Sequence, residues 1–196
     1  MSTLRRQTRE TQVFVRLARR GSEEAGAGFG VDGGQAESRS LAQTGQPFFD
    51  HMLTTLGRYA DLALQVQAEG DLKHHLIEDV AITLGQALRQ EIPETCTRYG
   101  SATVVMDDAL VQVTLDAGGR PYYQGPVPSD FYEHFFRSLA DNAAMTLHVV
   151  VLRGRDRHHI VEAAVKALGL ALRTALAPGT AVFSTKGSVR FGREEA

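Results

Sequence analysis

The segment His74-His-Leu-Ile-Glu-Asp-Val-Ala-Ile-Thr-Leu-Gly-Gln-Ala-Leu-Arg89 recurs without gaps as His158-His-Ile-Val-Glu-Ala-Ala-Val-Lys-Ala-Leu-Gly-Leu-Ala-Leu-Arg173, 84 residues further on. Eight of the sixteen positions are identical. Both copies carry apolar residues at helical spacing, which predicts an amphipathic helix from His74 to Glu91 and another from His158 to Leu176. Pro93 and Pro178-Gly179 stop them. The surroundings repeat as well. Pro47 to Arg58 reads as a helix, with Pro47 suited to its first turn, and Asp61 to Gln67 alternates as a strand. In the second copy, Asp130 to Asn142 reads as a helix capped by Ser129 or Asp130, and Met145 to Leu152 as a strand rich in β-branched residues. Each half therefore reads strands–helix–strand–helix. A period this long marks a duplication and not a solenoid. The expected fold is α+β, with internally duplicated half-domains over about 8–94 and 95–180 of a single domain spanning 1–196. Each half forms a small mixed β-sheet with two helices on one face, and the helices pack between the two sheets.

Outside the repeated helices, Thr11 to Ala18 alternates as a strand, and Ser40 to Thr44 reads as a short one. Tyr99 to Met106 and Ala109 to Ala117 form two strands joined tightly at Asp107-Asp108. The stretch over about 20–38 is too rich in glycine to hold a regular element and reads as a flexible loop. It lacks the Gly-Lys-Ser/Thr ending that a phosphate-cradling kinase loop needs.

Composition narrows the function classes. The chain has 196 residues, 43% hydrophobic and 22% charged, enough for a substantial core. Its net charge of −2, with 21 Lys+Arg spread along the chain, disfavours a nucleic-acid partner. Cys96 is the only cysteine, so no intrachain disulfide forms. No apolar run approaches the ~18 residues of a membrane span, and Met1 to Gln7 lacks the apolar core of a secretory signal. A cytoplasmic protein without membrane partners is expected.

Four of the seven histidines sit in the repeated pattern His-His-x-x-Glu: His74, His75, Glu78 and His158, His159, Glu162. On a helix, residues i and i+4 share a face, so His74 with Glu78, and His158 with Glu162, can each share one ion. Adjacent histidines diverge by about 100°, so each helix offers ligands in two directions. That points to two metals or to ligation between chains. Imidazole with carboxylate suits borderline divalent ions such as Mn, Fe, Zn, Co or Ni. A single such pattern is as easily a polar helix start, but two in register are not. Two four-coordinate sites need eight ligands. His51 and His148 would complete the count, with His134, opposite His51 in the repeat, competing with His148 for the last place.

Phe49-Asp-His-Met-Leu53, the two His-His-x-x-Glu helices, Met106-Asp-Asp-Ala-Leu110, Gly119-Arg-Pro121, Leu147-His148 and Ser184-Thr-Lys-Gly187 together resemble the imidazoleglycerol-phosphate dehydratase family in order and spacing, from about Arg9 to Gly187. The resemblance implies dehydration of D-erythro-imidazole glycerol phosphate to imidazole acetol phosphate in histidine biosynthesis. It also implies two Mn²⁺ per active site and a homo-oligomeric, 24-subunit shell with sites at subunit interfaces. By resemblance the metal ligands are His51, His74, His75, Glu78, His148, His158, His159 and Glu162, which settles the last place on His148. Two metals on the imidazole nitrogens would stabilise an imidazolate that expels the adjacent hydroxyl through a diazafulvene-like intermediate. The general acid/base maps to Glu10, which by pattern alone is an ordinary charged residue before a strand. The phosphate contacts map to Arg98, Arg120, Lys166, Ser184 and Lys186; singly, each reads as a solvated surface group. The chain departs from the family pattern in its Gly-rich stretch and in a shortened approach to the first His pair, Gly70-Asp-Leu-Lys73. It departs also at Tyr59, Asp108 and Asp156, where His, Glu and Asn are usual.

Overall fold

The structure, a computed structural model, describes residues 1–22 and 40–179. Most of the Gly-rich stretch, together with Ser184 and Lys186, lies outside the described residues.

Twelve elements form the described chain. They are β1 (Ser2–Gln7), β2 (Thr11–Arg19), β3 (Leu41–Gln43), α1 (Pro47–Tyr59), β4 (Leu62–Gly70), α2 (Lys73–Glu91), β5 (Tyr99–Met106), β6 (Ala109–Asp116), β7 (Tyr122–Gln124), α3 (Asp130–Ala143), β8 (Thr146–Arg153) and α4 (Arg157–Ala175). Two four-stranded sheets result, ordered β1-β2-β4-β3 and β5-β6-β8-β7. In each, an antiparallel hairpin pairs with a third strand, and a short strand lies parallel to that third strand at the edge. A parallel neighbour needs a crossover connection, and α1 and α3 supply it. The two halves thus share one topology, as the repeat predicts.

Strand alternation sends Val13, Val15 and Leu17 of β2, and Val111, Val113 and Leu115 of β6, inward. Against them lie α2 on β1 and β2, α1 on β3 and β4, α4 on β5 and β6, and α3 on β7 and β8. Across the middle, α2 packs on α3 and α1 on α4, so each long helix meets the short helix of the other half. One continuous core runs through both halves, with Phe49, Phe135 and Phe136 fully enclosed. Each such ring contributes roughly 1.5–3 kcal/mol by leaving water.

The repeat's shared glycine explains how close the crossings are. A Cβ on Gly85 would lie 2.8 Å from the Leu139 carbonyl oxygen of α3, and one on Gly169 would lie 2.6 Å from Tyr59 Cβ of α1. Both glycines let a long helix touch its short partner.

Two strands are absent from the sequence reading. β1 carries a single large apolar residue, Leu4, and β7 is only three residues long. Both are edge strands, defined by the neighbour they pair with more than by their own pattern.

Candidate functional site

The two His-His-x-x-Glu motifs and His51 gather where the helices begin. Asp156 is the N-cap of α4, and its carboxylate accepts from the backbone N–H of His158 at 2.7 Å and of His159 at 3.4 Å. At the start of α1, the Asp50 carboxylate accepts from the Thr44 backbone N–H at 2.9 Å and its hydroxyl at 2.6 Å, fixing the entry to the helix. Because α1 packs on α4, His51 meets the second His-His-x-x-Glu motif. His51 Nε2 lies 3.7 Å from Glu162 Oε1, and His158 Nε2 lies 3.3 Å from Glu162 Oε2. Lys166 Nζ, one turn on, lies 2.8 Å from Glu162 Oε1. The Phe48 ring backs His158 at 4.6 Å between centroids. The Glu162 side chain is 8% exposed. Burial pushes its carboxyl up, but the Lys166 hydrogen bond and charge, with His51 and His158, outweigh this and hold it below the usual range. Two imidazole nitrogens and an anionic carboxylate converge here without a thiolate, a donor set that fits a borderline divalent ion.

The first motif has a matching cluster on α2 and α3. His74 Nε2 lies 3.7 Å from Glu78 Oε2, and the His134 ring lies 4.7 Å from that of His74. His134 is the fifth residue of α3, as His51 is of α1. Ile82 stands where the second half has Lys166, and Glu78 is 40% exposed.

The second histidine of each pair points elsewhere, as the ~100° step predicts. The rings of His74 and His75 are inclined at 83°, those of His158 and His159 at 82°. His75 Nδ1 lies 3.0 Å from Asp71 Oδ1 and 3.5 Å from Glu10 Oε2. His159 Nδ1 lies 2.8 Å from Asp108 Oδ1, and its Nε2 lies 3.3 Å from Asp107 Oδ2. The Asp108 carboxylate also accepts from the backbone N–H of Arg155 at 2.6 Å and of Asp156 at 3.2 Å. The hydrogen bond from His159 and these two amides bring Asp108 down to about 2. In turn the hydrogen bonds to Asp71 and Asp108 raise His75 and His159.

Glu10 sits in the β1–β2 turn and is 56% exposed. That turn is held by Thr8, whose hydroxyl accepts from the backbone N–H of Glu10 at 3.1 Å and of Thr11 at 2.9 Å. The hairpin is fastened to α2 through buried Asp79, which binds Arg6 Nε at 2.9 Å and the Thr11 hydroxyl.

A further group lies on the face of the second sheet turned away from the helices. His148 is exposed on β8 between two buried residues, Leu147 and Val149, with the Tyr122 ring 5.5 Å away. Arg98 is bidentate on Asp116, Nε to Oδ1 at 2.6 Å and Nη2 to Oδ2 at 2.9 Å. Its backbone is left-handed, with φ of 69°, and it donates to the Ala175 carbonyl at 2.8 Å. Gly118 clears room for the guanidinium, since a Cβ there would lie 2.4 Å from Arg98 Nη2. Arg120 is exposed nearby; its charge helps lower Asp116, after the larger effect of Arg98.

The structure thus brings His51, His158, Glu162 and Lys166 together, and separately His74, Glu78 and His134. Glu10 joins His75. His148, Arg98 and Arg120 stand on the outer face, apart from both helix-end clusters. Four carboxylates escaped the sequence reading as site residues: Asp71, Asp107, Asp108 and Asp116. Asp71 stands four residues before His75, a spacing that could have flagged it. Asp116 is 18 residues from Arg98, so only the strand pairing reveals it.

The imidazoleglycerol-phosphate dehydratase family model matches residues 44–172. The imidazoleglycerol-phosphate dehydratase of Pyrobaculum calidifontis is 44% identical over 95% of this chain and 98% of its own. That of Methanoculleus marisnigri is 42% identical over 96% and 98%. A crystal structure of the Pyrococcus furiosus enzyme superposes with a TM-score of 0.78 at 36% identity, covering 95% of this chain and all of the other. With the duplicated fold and the paired His-His-x-x-Glu helices, these likenesses show that the chain belongs to the imidazoleglycerol-phosphate dehydratase family of hydro-lyases.

Proposed function

We propose that the protein dehydrates D-erythro-imidazole glycerol phosphate to imidazole acetol phosphate in histidine biosynthesis, as a Mn²⁺-dependent homo-oligomer. The observation that carries this is the convergence of His51, His158 and Glu162 from two helices onto one point, repeated in outline by His74 and Glu78. Two Mn²⁺ ions, when bound, supply Lewis acidity to the substrate's imidazole ring. The ions are held by His51, His74, His75, Glu78, His148, His158, His159 and Glu162.

His148 faces away from the helix-end clusters within its own chain. It reaches a metal only if a second subunit presents it, which supports sites at subunit interfaces; the 24-subunit shell follows the family resemblance. Arg98 and Arg120, on the same outer face, would then anchor the substrate phosphate across that interface, with Lys166, Ser184 and Lys186 completing the cradle. Glu10 is exposed at a turn with His75 beside it, so its carboxylate can reach a substrate bound outside the chain. There it takes the carbon-bound proton next to the departing hydroxyl.

The test is metal content and turnover of two variants. Glu162→Ala and His75→Ala should each lose bound Mn²⁺ and activity. Full activity in either contradicts the ligand assignment.

A further inference from the structure

The second histidine of each pair presents the same nitrogen to a carboxylate, yet the two carboxylates come from different places in the duplicated fold. In the first half Asp71, just ahead of α2, lies 3.0 Å from His75 Nδ1. The position that answers to Asp71 after the 84-residue offset is Arg155, whose side chain is not a carboxylate. Its backbone N–H is instead bound by Asp108, and Asp108 reaches His159 Nδ1 at 2.8 Å from the β5–β6 turn. The corresponding β1–β2 turn of the first half carries Glu10, which stands 3.5 Å from His75 Nδ1, beyond Asp71. The duplication has diverged at both places while keeping one contact.

An imidazole that donates Nδ1–H to a carboxylate has its lone pair on Nε2, and its ring plane is set by the hydrogen bond. We propose that Asp71 and Asp108 are positioning residues that hold His75 and His159 as Nδ1–H tautomers and turn Nε2 outward to a bound divalent cation. This rests on the metal reading above. It also separates the two hairpin-turn carboxylates. Asp108 is tied down by His159 and two backbone amides and is committed to holding a ring. Glu10 is relieved of that task by Asp71 and stays free to move a proton. Asp107, 68% exposed and 3.3 Å from His159 Nε2, lies on the side where the cation would sit. Ligand atoms of Glu10, Asp71 and His75 lie within 4.8 Å of one another and could themselves gather an ion. Taking His75 Nδ1 as the ligand of such an ion would break its 3.0 Å hydrogen bond to Asp71.

The experiment titrates Mn²⁺ into chelator-stripped protein and follows free ion by electron paramagnetic resonance. The variants are Asp71→Asn, Asp108→Asn, Asp108→Glu, His75→Ala and His159→Ala. Asparagine keeps an acceptor for the backbone amides but not the carboxylate charge. Asp71→Asn and Asp108→Asn should weaken Mn²⁺ binding roughly 10–100-fold, and Asp108→Glu should restore most of it. Solid-state ¹⁵N spectra of stripped, histidine-labelled protein should show His75 and His159 as Nδ1–H tautomers, mixed only in the matching Asn variant. Unchanged Mn²⁺ affinity in both Asn variants, while the histidine variants bind weakly, overturns the positioning role and leaves the metal reading standing. Unchanged affinity in the histidine variants overturns both.

Discussion

Glu10 and Asp116 show how much a single carboxylate's surroundings decide. Glu10 faces solvent with one histidine beside it, whereas Asp116 is 17% exposed and locked to Arg98. Glu10→Gln keeps size and hydrogen bonding but removes the base. It should lower kcat by at least about 100-fold while Mn²⁺ affinity stays unchanged; a kcat within a few-fold of the parent enzyme would remove Glu10 from the chemistry. Asp116→Asn leaves Arg98 without its anionic partner, at a cost on the order of 2 kcal/mol. Because Arg98 holds Asp116 below the usual carboxylate range, the pair stabilises the fold above the unfolded-state value of about 4, and that contribution fades as pH falls through the lower folded value. The gap in Tm between the parent and Asp116→Asn should be widest at neutral pH and narrow as the pH falls below the unfolded-state value of about 4. A gap independent of pH would show that the ion pair is not its source. The helix-borne candidate ligands are legible in the sequence because the His-His-x-x-Glu spacing carries their geometry. Asp116 and Asp108 were not, because each meets its partner across a sheet or a turn and leaves no local pattern.

At the scale of elements, the two long helices carry the site by their ends and hold the halves together by their middles. Gly169 lies between these tasks, two turns from Glu162 and in contact with Tyr59 of α1. Gly169→Ala should force α4 off α1 and cost about 1–3 kcal/mol. It should also weaken Mn²⁺ binding, because His51 and Glu162 ride on those two helices. A fall in Tm without any change in metal affinity would mean that the cluster tolerates a shift of the crossing. The repeat made these helices and the long strands readable, since each has an amphipathic pattern of its own. β1 and β7 were not readable: the first is mostly polar and arginine-rich at an edge, the second three residues long, and both exist through pairing.

For the whole molecule, the distribution of the site is the central point. One chain gathers a histidine–glutamate cluster at each of two helix pairs but leaves His148, Arg98 and Arg120 on the far face of the second sheet. That far face also exposes Tyr99, Tyr122 and Val150. A histidine proposed as a metal ligand, stranded beside exposed apolar residues, fits the proposed subunit interface. If metals bridge subunits as proposed, chelation should shift the particle to smaller species by light scattering, and Mn²⁺ should rebuild it; a size indifferent to chelator would contradict metal-bridged subunits. The family pattern makes Arg98 and Arg120 nameable as phosphate candidates from sequence, yet their separation from the helix-end clusters, which Lys166 by contrast joins, is a property of the fold alone. The most direct test of the account is a dehydration assay on chelator-stripped protein given imidazole glycerol phosphate, with and without Mn²⁺. Imidazole acetol phosphate formed only when Mn²⁺ is restored is the predicted result. Absence of product from protein that has taken up Mn²⁺ would contradict it.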